Sequence, residues 1–579
     1  MINKKISIIV FFLSVILFCL NLQYNYSDNL KQTVFWISIA FMLGIVLYQI
    51  FYLKNYQFVL FEIIIFYFLL HLVYQIGYYG LRDSDSFRDY DFLKTILINH
   101  HIIIEPIDID VSGWPLIHLW ASFITIITKI EPLIIAKILP SFIESIIAIP
   151  IYLLISNLYK NKKAALLACL LFGTIPQFVS FEAAFVRESY ALYFFIFFLY
   201  ILYTAKQRDD YHLLTLSIIL IPIVVLAHHF TSFMLIIFLL IFIISSKMIP
   251  HLFRIKTITY PFREETNHNF NKINIYSFFI ILLIVALLYW CYYTPNIIKS
   301  FFTIYYETTG EKEFISYGQQ IGLGQTIVTL RGNIQYYGFF FFQGILSLIL
   351  LIAILLKKLT HIIEDFSFTI YLYFCLFLGS LSLYVLGSLI YPDRFLPFGW
   401  IVGAIPLTIL LFKLKNIHLK KLILVIIVSF IIFNIYTINP NYYTGKAAIR
   451  GDLATEKEYA IAETINISTV PKIIKISKTL YVSTRPYYGY LGVSNAIYDI
   501  QGMERRFGGE TDPIKTTNFF NDSNFAIINK GMYLQDLDTV KIKSPIVYDR
   551  IITVLSYKNF YNINKICDLD DVFILTWKK

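Results

Sequence analysis

Long apolar runs, separated by short polar connectors, occupy the first 437 residues of the chain. A helix that crosses a bilayer needs about 17–25 predominantly apolar residues. Runs that approach or reach this length lie near 6–22, 33–53, 57–79, 114–128, 133–157, 164–182, 187–204, 212–227, 231–247, 274–292, 336–356, 366–390, 396–413 and 420–437. This pattern predicts a polytopic α-helical membrane protein.

The tail of the chain, residues 438–579, follows a different pattern, in which shorter and more polar stretches replace the long apolar runs. An amphipathic helix is predicted at 454–467 and a second helix near 548–558. Strand-like runs are found at 479–483, 525–529, 562–567 and 572–577. Strands that alternate with helices predict a small α/β domain.

Composition supports this division. The chain is 58% hydrophobic and 15% charged, whereas soluble proteins average about 45–50% apolar and about 25% charged residues. A wholly water-soluble protein is therefore excluded. Charged residues make up roughly a quarter of the last 140 positions and roughly an eighth of the rest. A membrane-embedded body is expected to precede a tail that is long enough to bury its own core.

Basic side chains indicate how the apolar runs are oriented. The net charge is +10, but most positive residues lie in short connectors, which is typical of membrane topology and not of nucleic-acid binding. Lys4 and Lys5 predict a cytoplasmic N-terminus. The basic connectors predicted on that same side are 160–163, 206–208, 254–263, 357–358 and 413–421.

These five connectors agree with one another. They agree with an external loop at 80–112, which the cytoplasmic N-terminus and three crossings predict, only if residues 114–157 cross the bilayer once, so segment 114–128 is not expected to cross. It contains Trp114, His118, Trp120 and several hydroxyl groups, so we interpret it as a re-entrant or interfacial helix. About 13 crossings then leave the tail outside the cytoplasm. The predicted units are N-terminal transmembrane helices at 1–79, an outer acidic loop with this helix at 80–132, a transmembrane body at 133–437 and an extracytoplasmic α/β domain at 438–579.

The outer acidic loop begins with a dense group of charges at residues 82–90. In an extended loop, Asp83 and Asp85 project the same way because side chains alternate with a period of two. Two such carboxylates can hold a divalent cation, Mg²⁺ or Mn²⁺, together with phosphate oxygens, or one of them can act as a general base on a hydroxyl. The alternative is a solvated loop in which Arg82 and Arg88 neutralise the acids.

Other polar residues mark the predicted outer ends of later helices. Arg187 and Glu188 open one helix, His228 and His229 interrupt an apolar stretch, and Arg394 lies between two helices. Each has a structural alternative: the arginines can snorkel, Glu188 can favour a helix N-terminus, and the histidines can occupy a polar hairpin. The functional interpretation is that cations at similar bilayer depth bind a phosphate or a sugar.

Two acids lie inside apolar helices. Glu62 and Glu144 are expected to face the protein interior, because a charged side chain that faces lipid is costly. A proton-coupled carrier would use such groups. They are the main support for interpreting the chain as a transporter.

The order of these motifs resembles the GT-C superfamily of integral-membrane glycosyltransferases. The matching positions are the acidic Asp83-x-Asp85 loop, Gly113-Trp114-Pro115 at the start of an apolar segment, and the later elements Val186-Arg187-Glu188, His228-His229 and Asp393-Arg394. There are two departures. Two more helices than usual precede the acidic loop, and the tail has no Trp-Trp-Asp motif, which argues against an oligosaccharyltransferase catalytic subunit.

The resemblance implies transfer of a sugar, usually with inversion, from a polyprenyl-phosphate carrier to a glycan, lipid or protein acceptor at the outer face of the cell membrane. It implies Asp83 or Asp85 as the catalytic base. The expected substrate-binding residues are Arg82, Arg88, Arg187, Glu188, His228, His229 and Arg394. Two alternatives stay open, namely a transporter or flippase for a lipid-linked or envelope precursor, and a non-catalytic envelope-assembly protein.

Overall fold

The computed structural model describes residues 4–23, 28–76, 84–102, 109–175, 182–208, 210–253, 275–295, 370–377, 395–413 and 416–438, four strands in the tail and a few isolated positions. In the first part of the chain the described helices are Lys4–Gln23 (α1), Asp28–Tyr52 (α2), Tyr56–Ile76 (α3), Ser84–Asn99 (α4), Ile109–Ser112 (α5), Leu116–Thr128 (α6), Pro132–Ile146 (α7), Ala148–Tyr159 (α8) and Lys162–Phe172 (α9). The helices that follow are Arg187–Arg208 (α10), Tyr211–Ala227 (α11), His229–Phe253 (α12), Ile275–Tyr292 (α13), Leu396–Lys413 (α14) and Ile417–Ile438 (α15).

The described part of the chain contains seven helical spans that are long and apolar enough to cross a membrane. They are Lys4–Leu22, Thr33–Tyr52, Tyr56–Val73, Pro132–Tyr159, Arg187–Ala205, Ile275–Tyr292 and Ile417–Ile435. The protein is therefore a multi-pass membrane protein. The runs predicted at 336–356 and 366–390 and the connector 254–263 lie largely outside the described residues, so the number of crossings stays a prediction.

Segment 114–128 forms α6, which has only 13 residues. At 1.5 Å per residue this helix is about 20 Å long, shorter than the hydrocarbon core of about 30 Å. One face of α6 is buried and contains His118 and Ser122, while the opposite face exposes Phe123 and Ile127. An amphipathic helix of this length fits an interfacial or re-entrant position better than a full crossing.

The run 164–182, predicted to be one crossing, is interrupted: α9 ends at Phe172, a turn follows at 173–174, and residues 178–179 are helical again. The prediction of a single helix there was wrong. Gly173 caps the end of α9, where the Tyr67 hydroxyl donates a hydrogen bond to the Cys169 carbonyl. A Cβ at position 173 would overlap the Tyr67 ring, so glycine permits the close approach of α3.

Local hydrogen bonds fix where two of the helices start. The Asn161 side chain accepts hydrogen bonds from the backbone N–H groups of Lys163 and Ala164, and Asp210 accepts from His212 and Leu213. These side chains satisfy donors that the first helical turn leaves unpaired. Both caps lie in or beside connectors that the sequence assigns to the cytoplasmic side.

The main hydrophobic core forms where helices that are neighbours in sequence, and helices that are far apart in sequence, pack together. α3 packs against α7 and α9, α10 packs against α7, α8 and α11, and α14 packs against α9. A second apolar cluster, which includes Leu93, Ile117, Leu139, Phe185 and Tyr190, joins α4, α6, α7 and the start of α10. This second cluster surrounds the polar residues described below.

The described residues of the tail form a four-stranded sheet. The strands are Thr479–Tyr481 (β1), Phe525–Asn529 (β2), Ile563–Leu569 (β3) and Val572–Trp577 (β4), in the order β1-β2-β4-β3. β1 pairs with β2 in parallel, whereas β4 is antiparallel to both β2 and β3. The strands lie close to the predicted runs, and the helices predicted at 454–467 and 548–558 lie outside the described residues.

Candidate functional site

The acidic segment is helical from Ser84 onward. The prediction of an extended loop over residues 82–90 was therefore wrong for most of its length. Side chains from residue 84 onward therefore repeat with the helical period of 3.6 and do not alternate with a period of two. In a helix, positions 85 and 89 share a face instead, since they are four residues apart.

Two polar side chains from distant parts of the chain, those of His118 and Arg187, contact Asp89. Its Oδ1 atom lies 2.8 Å from His118 Nε2 and 3.1 Å from Arg187 Nε. The Asp89 and His118 side chains are fully buried, and the Arg187 side chain is 12% exposed. Helix α4 supplies the acid, α6 the histidine and the first residue of α10 the arginine, so the packing of these helices creates the cluster.

The two contacts with Asp89 differ in character. A carboxylate only accepts hydrogen bonds, so the Nε2–H group of His118 is the donor and Oδ1 of Asp89 is the acceptor. The Nε–H of Arg187 is close but is not aligned on an acceptor, so that contact is an ion pair without a hydrogen bond. Arg187 also has two terminal NH₂ groups that can donate to a ligand.

The cluster around Asp89 is enclosed by aromatic rings. Phe92 meets the His118 ring edge to face, with centroids 4.8 Å apart, and Phe185 approaches the same ring at 6.1 Å. Within the described residues, Asp89 Oδ2 and His118 Nδ1 have no hydrogen-bond partner. The low dielectric constant of such surroundings strengthens the attraction between Asp89 and Arg187.

A second group of residues lies about one helical turn away along α6. The Trp114 and His229 rings are 4.8 Å apart, and the His229 and His228 rings are 4.6 Å apart. His228 Nδ1 lies 3.2 Å from Thr231 Oγ1, and Ser232 Oγ donates to the His228 carbonyl at 2.8 Å. The His228-His229 pair is therefore held between α11 and α12 and lies against the beginning of α6.

Three further buried acids lie on α7, at the start of α10 or just before it. Glu182 precedes α10, Glu188 is its second residue, and Glu144 lies on α7. Burial raises the pKa of Glu182 well above its ordinary value, and the neighbouring Glu188 raises it further. Ser189 gives Glu182 no hydrogen bond, because its hydroxyl donates to the Ala184 carbonyl at 3.0 Å.

Some of the expected site residues fall outside this description. Arg82, Asp83 and Arg394 lie outside the described residues, and the side chain of Asp85 is not described. Arg88 is half-buried on α4. The roles of all these residues in catalysis or substrate binding stay predictions.

The described side chains do not fit a divalent cation. Within the described ranges, no group of three or more His, Cys, Asp or Glu residues could hold a metal ion. Asp89 is a poor ligand because its Oδ1 already faces the positive charge of Arg187. The expected Mg²⁺ or Mn²⁺ site depends on Asp83 and Asp85 and stays a prediction.

Sequence analysis missed two members of the central cluster. Asp89 belongs to the charged segment, but the extended-loop interpretation directed attention to Asp83 and Asp85. His118 was used only to argue that α6 is interfacial. A helical interpretation of residues 84–99 would have placed positions 85 and 89 on one face and so would have singled out Asp89.

No protein-family model and no curated protein matches the chain. It is similar to the crystal structure of the Archaeoglobus fulgidus oligosaccharyltransferase in complex with Zn and sulfate, with 13% identity, a TM-score of 0.49, and coverage of 84% of this chain and 70% of that one. It is also similar to ArnT from Cupriavidus metallidurans bound to undecaprenyl phosphate, with 10% identity, a TM-score of 0.49, and coverage of 90% and 98%. TM-scores below 0.5 do not establish a common fold, so the functional assignment rests on the residues of the site.

Proposed function

We propose that the chain is a membrane glycosyltransferase that moves a sugar from a polyprenyl-phosphate carrier to an acceptor at the outer face of the membrane. The observation that supports this most directly is the contact of Arg187 with Asp89 on the acidic helix. It places a positive side chain beside the segment that contains the predicted catalytic acids.

In the proposed reaction, an acceptor hydroxyl attacks the anomeric carbon of the lipid-linked sugar. Asp83 or Asp85 takes the hydroxyl proton as a general base. The bond from the anomeric carbon to the lipid phosphate oxygen breaks, and negative charge develops on the departing phosphate. Attack from the face opposite the leaving group inverts the anomeric configuration.

Arg187 is the residue proposed to stabilise the departing phosphate. Asp89 contacts the guanidinium group of Arg187 at Nε. The two terminal NH₂ groups are the donors proposed to bind the phosphate. A preorganised cation in a poorly solvated site stabilises developing charge more than the same cation in water. His228, His229 and Arg394 are proposed as further phosphate or sugar contacts, with Arg82, Arg88 and Glu188 near them.

The transporter interpretation has less support from the described residues. Glu62 accepts a hydrogen bond from Gln49 Nε2 at 2.9 Å, which gives this acid a structural role between α2 and α3. A transporter would move the lipid-linked sugar intact, whereas the proposed enzyme breaks the sugar–phosphate bond. Detection of bond cleavage therefore separates the two functions.

The proposed catalytic acids can be tested in purified protein reconstituted in lipid nanodiscs. In the presence of extracted envelope acceptors, Asp83→Asn and Asp85→Asn are compared with the wild type for release of polyprenyl phosphate from a radiolabelled polyprenyl-phosphate sugar. Loss of a general base typically lowers the rate about 10²–10⁴-fold, so at least one variant should lose activity on that scale. Thr95→Ala, farther along α4, is the matched control. Near-normal release by both aspartate variants would place the catalytic base elsewhere.

A further inference from the structure

The ion pair between Arg187 and Asp89 is held at a single point. Arg187 Nε lies 3.1 Å from Asp89 Oδ1, and its N–H group is not aligned for a hydrogen bond. The other carboxylate oxygen, Oδ2, is buried and has no hydrogen-bond partner among the described residues. Arginine and a carboxylate frequently form two parallel hydrogen bonds, in which both oxygens take part. This pair therefore stops short of its strongest geometry.

A hydrogen bond from His118 explains why the pair stays open. The Nε2–H group of His118 donates to Asp89 Oδ1 at 2.8 Å, so it competes for the oxygen that Arg187 approaches. To face the guanidinium with both oxygens, the carboxylate would have to turn Oδ1 away from this donor. The Asp89 and His118 side chains are fully buried, so solvent does not reach the donor, and an unpaired buried N–H group is costly.

Two aromatic rings prevent the imidazole from following the carboxylate. Phe92 meets the His118 ring edge to face with centroids 4.8 Å apart, and Phe185 meets it at 6.1 Å. Both phenylalanines are buried. Phe92 is three residues after Asp89 on α4, and Phe185 is two residues before Arg187. The rings that hold His118 therefore come from the two segments that the ion pair joins.

We propose that His118 is a positioning residue that limits Asp89 and Arg187 to one point of contact. Because it binds Oδ1, it prevents the carboxylate from engaging the terminal NH₂ groups of the guanidinium. Those groups then remain available to the phosphate of a lipid. The pairing half of this inference stands on the contacts alone, whereas the phosphate half rests on the proposed function.

The alternative is that His118 only fills space between α4, α6 and the start of α10. A space-filling residue can be replaced by phenylalanine with no effect on how Arg187 pairs with Asp89. A hydrogen-bond donor cannot, because phenylalanine has no N–H group, whereas glutamine offers an amide donor of similar reach. His118→Phe and His118→Gln therefore separate the two roles.

The pairing can be measured without any enzyme assay, by double-mutant cycles on the free energy of unfolding in detergent. Asp89→Asn, Arg187→Gln and their combination are made in the wild type, in His118→Phe and in His118→Gln. In His118→Phe, the coupling between Asp89 and Arg187, expressed as a ratio of unfolding equilibrium constants, should rise roughly tenfold, as expected for one added hydrogen bond between charged groups. In His118→Gln it should keep the wild-type value. An unchanged or weaker coupling in His118→Phe would overturn the proposal.

His71→Phe is the matched control. His71, on α3, is another fully buried histidine, and it meets Phe178 edge to face with the same centroid distance of 4.8 Å. Its Nδ1 lies beside the Tyr67 carbonyl and not beside a carboxylate. This variant should lower stability as His118→Phe does, but it should leave the coupling unchanged. A rise of the same size in both variants would show a general effect of packing and would overturn the proposal.

The effect on phosphate is measured on folded protein in nanodiscs, with farnesyl phosphate as a short polyprenyl phosphate. Its affinity should fall roughly tenfold in His118→Phe, the effect of one lost hydrogen bond to a charged group, and should be retained in His118→Gln. His118→Leu replaces the phenylalanine variant if that variant does not fold. Addition of Asp89→Asn to His118→Phe should recover part of the loss, because a neutral amide competes less for the guanidinium.

Equal loss of affinity in His118→Phe and His118→Gln, or no recovery on addition of Asp89→Asn, would refute the effect of His118 on phosphate binding. Absence of farnesyl phosphate binding by the wild type would contradict the proposed function. The coupling between Asp89 and Arg187 would then decide the pairing half on its own.

Discussion

The Nε atom of Arg187 lies 3.1 Å from Oδ1 of Asp89. The first residue of α10 is therefore held against the second turn of α4. His118 approaches the same oxygen from α6 at 2.8 Å. Three segments that are distant in sequence thus fix the position of one guanidinium group.

Arginine should be required at position 187 for its shape as well as its charge. Arg187→Lys keeps the positive charge but loses the planar fork, so it cannot contact Asp89 and a phosphate at the same time. The kcat/KM for the lipid-linked donor should fall about tenfold or more in this variant. Arg208→Lys, at the other end of α10, is the matched control and should leave kcat/KM unchanged. Equal kcat/KM values for Arg187→Lys and the wild type would remove Arg187 from the phosphate site.

The interaction between Asp89 and Arg187 should contribute measurably to the free energy of unfolding. A double-mutant cycle with Asp89→Asn, Arg187→Gln and the double variant isolates their interaction, provided all four proteins fold. Contacting charged residues typically show coupling of about 0.5–3 kcal/mol. Since Arg187 is largely but not fully buried, about 1 kcal/mol is expected from unfolding in detergent. Additive effects of the two single variants would show that the contact contributes nothing to stability.

The buried Glu182 should make the protein less stable as pH rises. Its native pKa lies well above the ordinary value of 4.5 because burial disfavours the charged form. The native state therefore keeps a proton that the unfolded chain releases above about pH 4.5, so the free energy of unfolding falls from that pH up to the raised native pKa. The contribution of one proton is at most about 1.4 kcal/mol per pH unit.

Glu182→Gln removes the titrating proton while it preserves the size of the side chain. The difference in Tm between this variant and the wild type should grow steadily in favour of the variant from pH 5 to pH 8. Thermal unfolding monitored by tryptophan fluorescence gives both values. If the difference is constant across this range, Glu182 titrates normally in the folded protein.

The predicted orientation places the N-terminus inside and the tail outside. Single cysteines engineered at Lys162 and Ser523, in a variant without native cysteines, test it with a membrane-impermeant thiol reagent. In intact cells, the cysteine at position 523 should be labelled, and the one at 162 should be labelled only after the membrane is opened. Labelling of position 162 from outside would invert the topology and place the proposed site on the wrong face.

Long apolar runs made most of the membrane helices predictable, because hydrophobic length alone specifies a span. Residues 84–99 were harder: their charged first half resembles a solvated loop, and only packing against α6 and α7 explains why they form a helix. The same difficulty applies to the run 164–182. Its apolar composition predicts one long helix, whereas the close contact of Tyr67 with Gly173 marks where that helix ends.

The partners of Asp89 were not predictable for a related reason. Nothing in the local sequence around Asp89, His118 or Arg187 indicates that the three meet, because their contact depends on how α4, α6 and α10 pack. Sequence reasoning did identify Arg187 as a candidate phosphate ligand from its place at a helix end. The ion pair of this arginine with Asp89 was not predicted.

The proposed glycosyltransferase should break the bond between a sugar and a polyprenyl phosphate. A single-turnover assay in proteoliposomes measures this step with a polyprenyl-phosphate sugar that is radiolabelled in the sugar, in the presence of extracted envelope acceptors. The label should move to an acceptor with stoichiometric release of polyprenyl phosphate, and Arg187→Gln should slow this release. Movement of the intact labelled lipid between leaflets, with no release of polyprenyl phosphate, would instead identify the protein as a flippase.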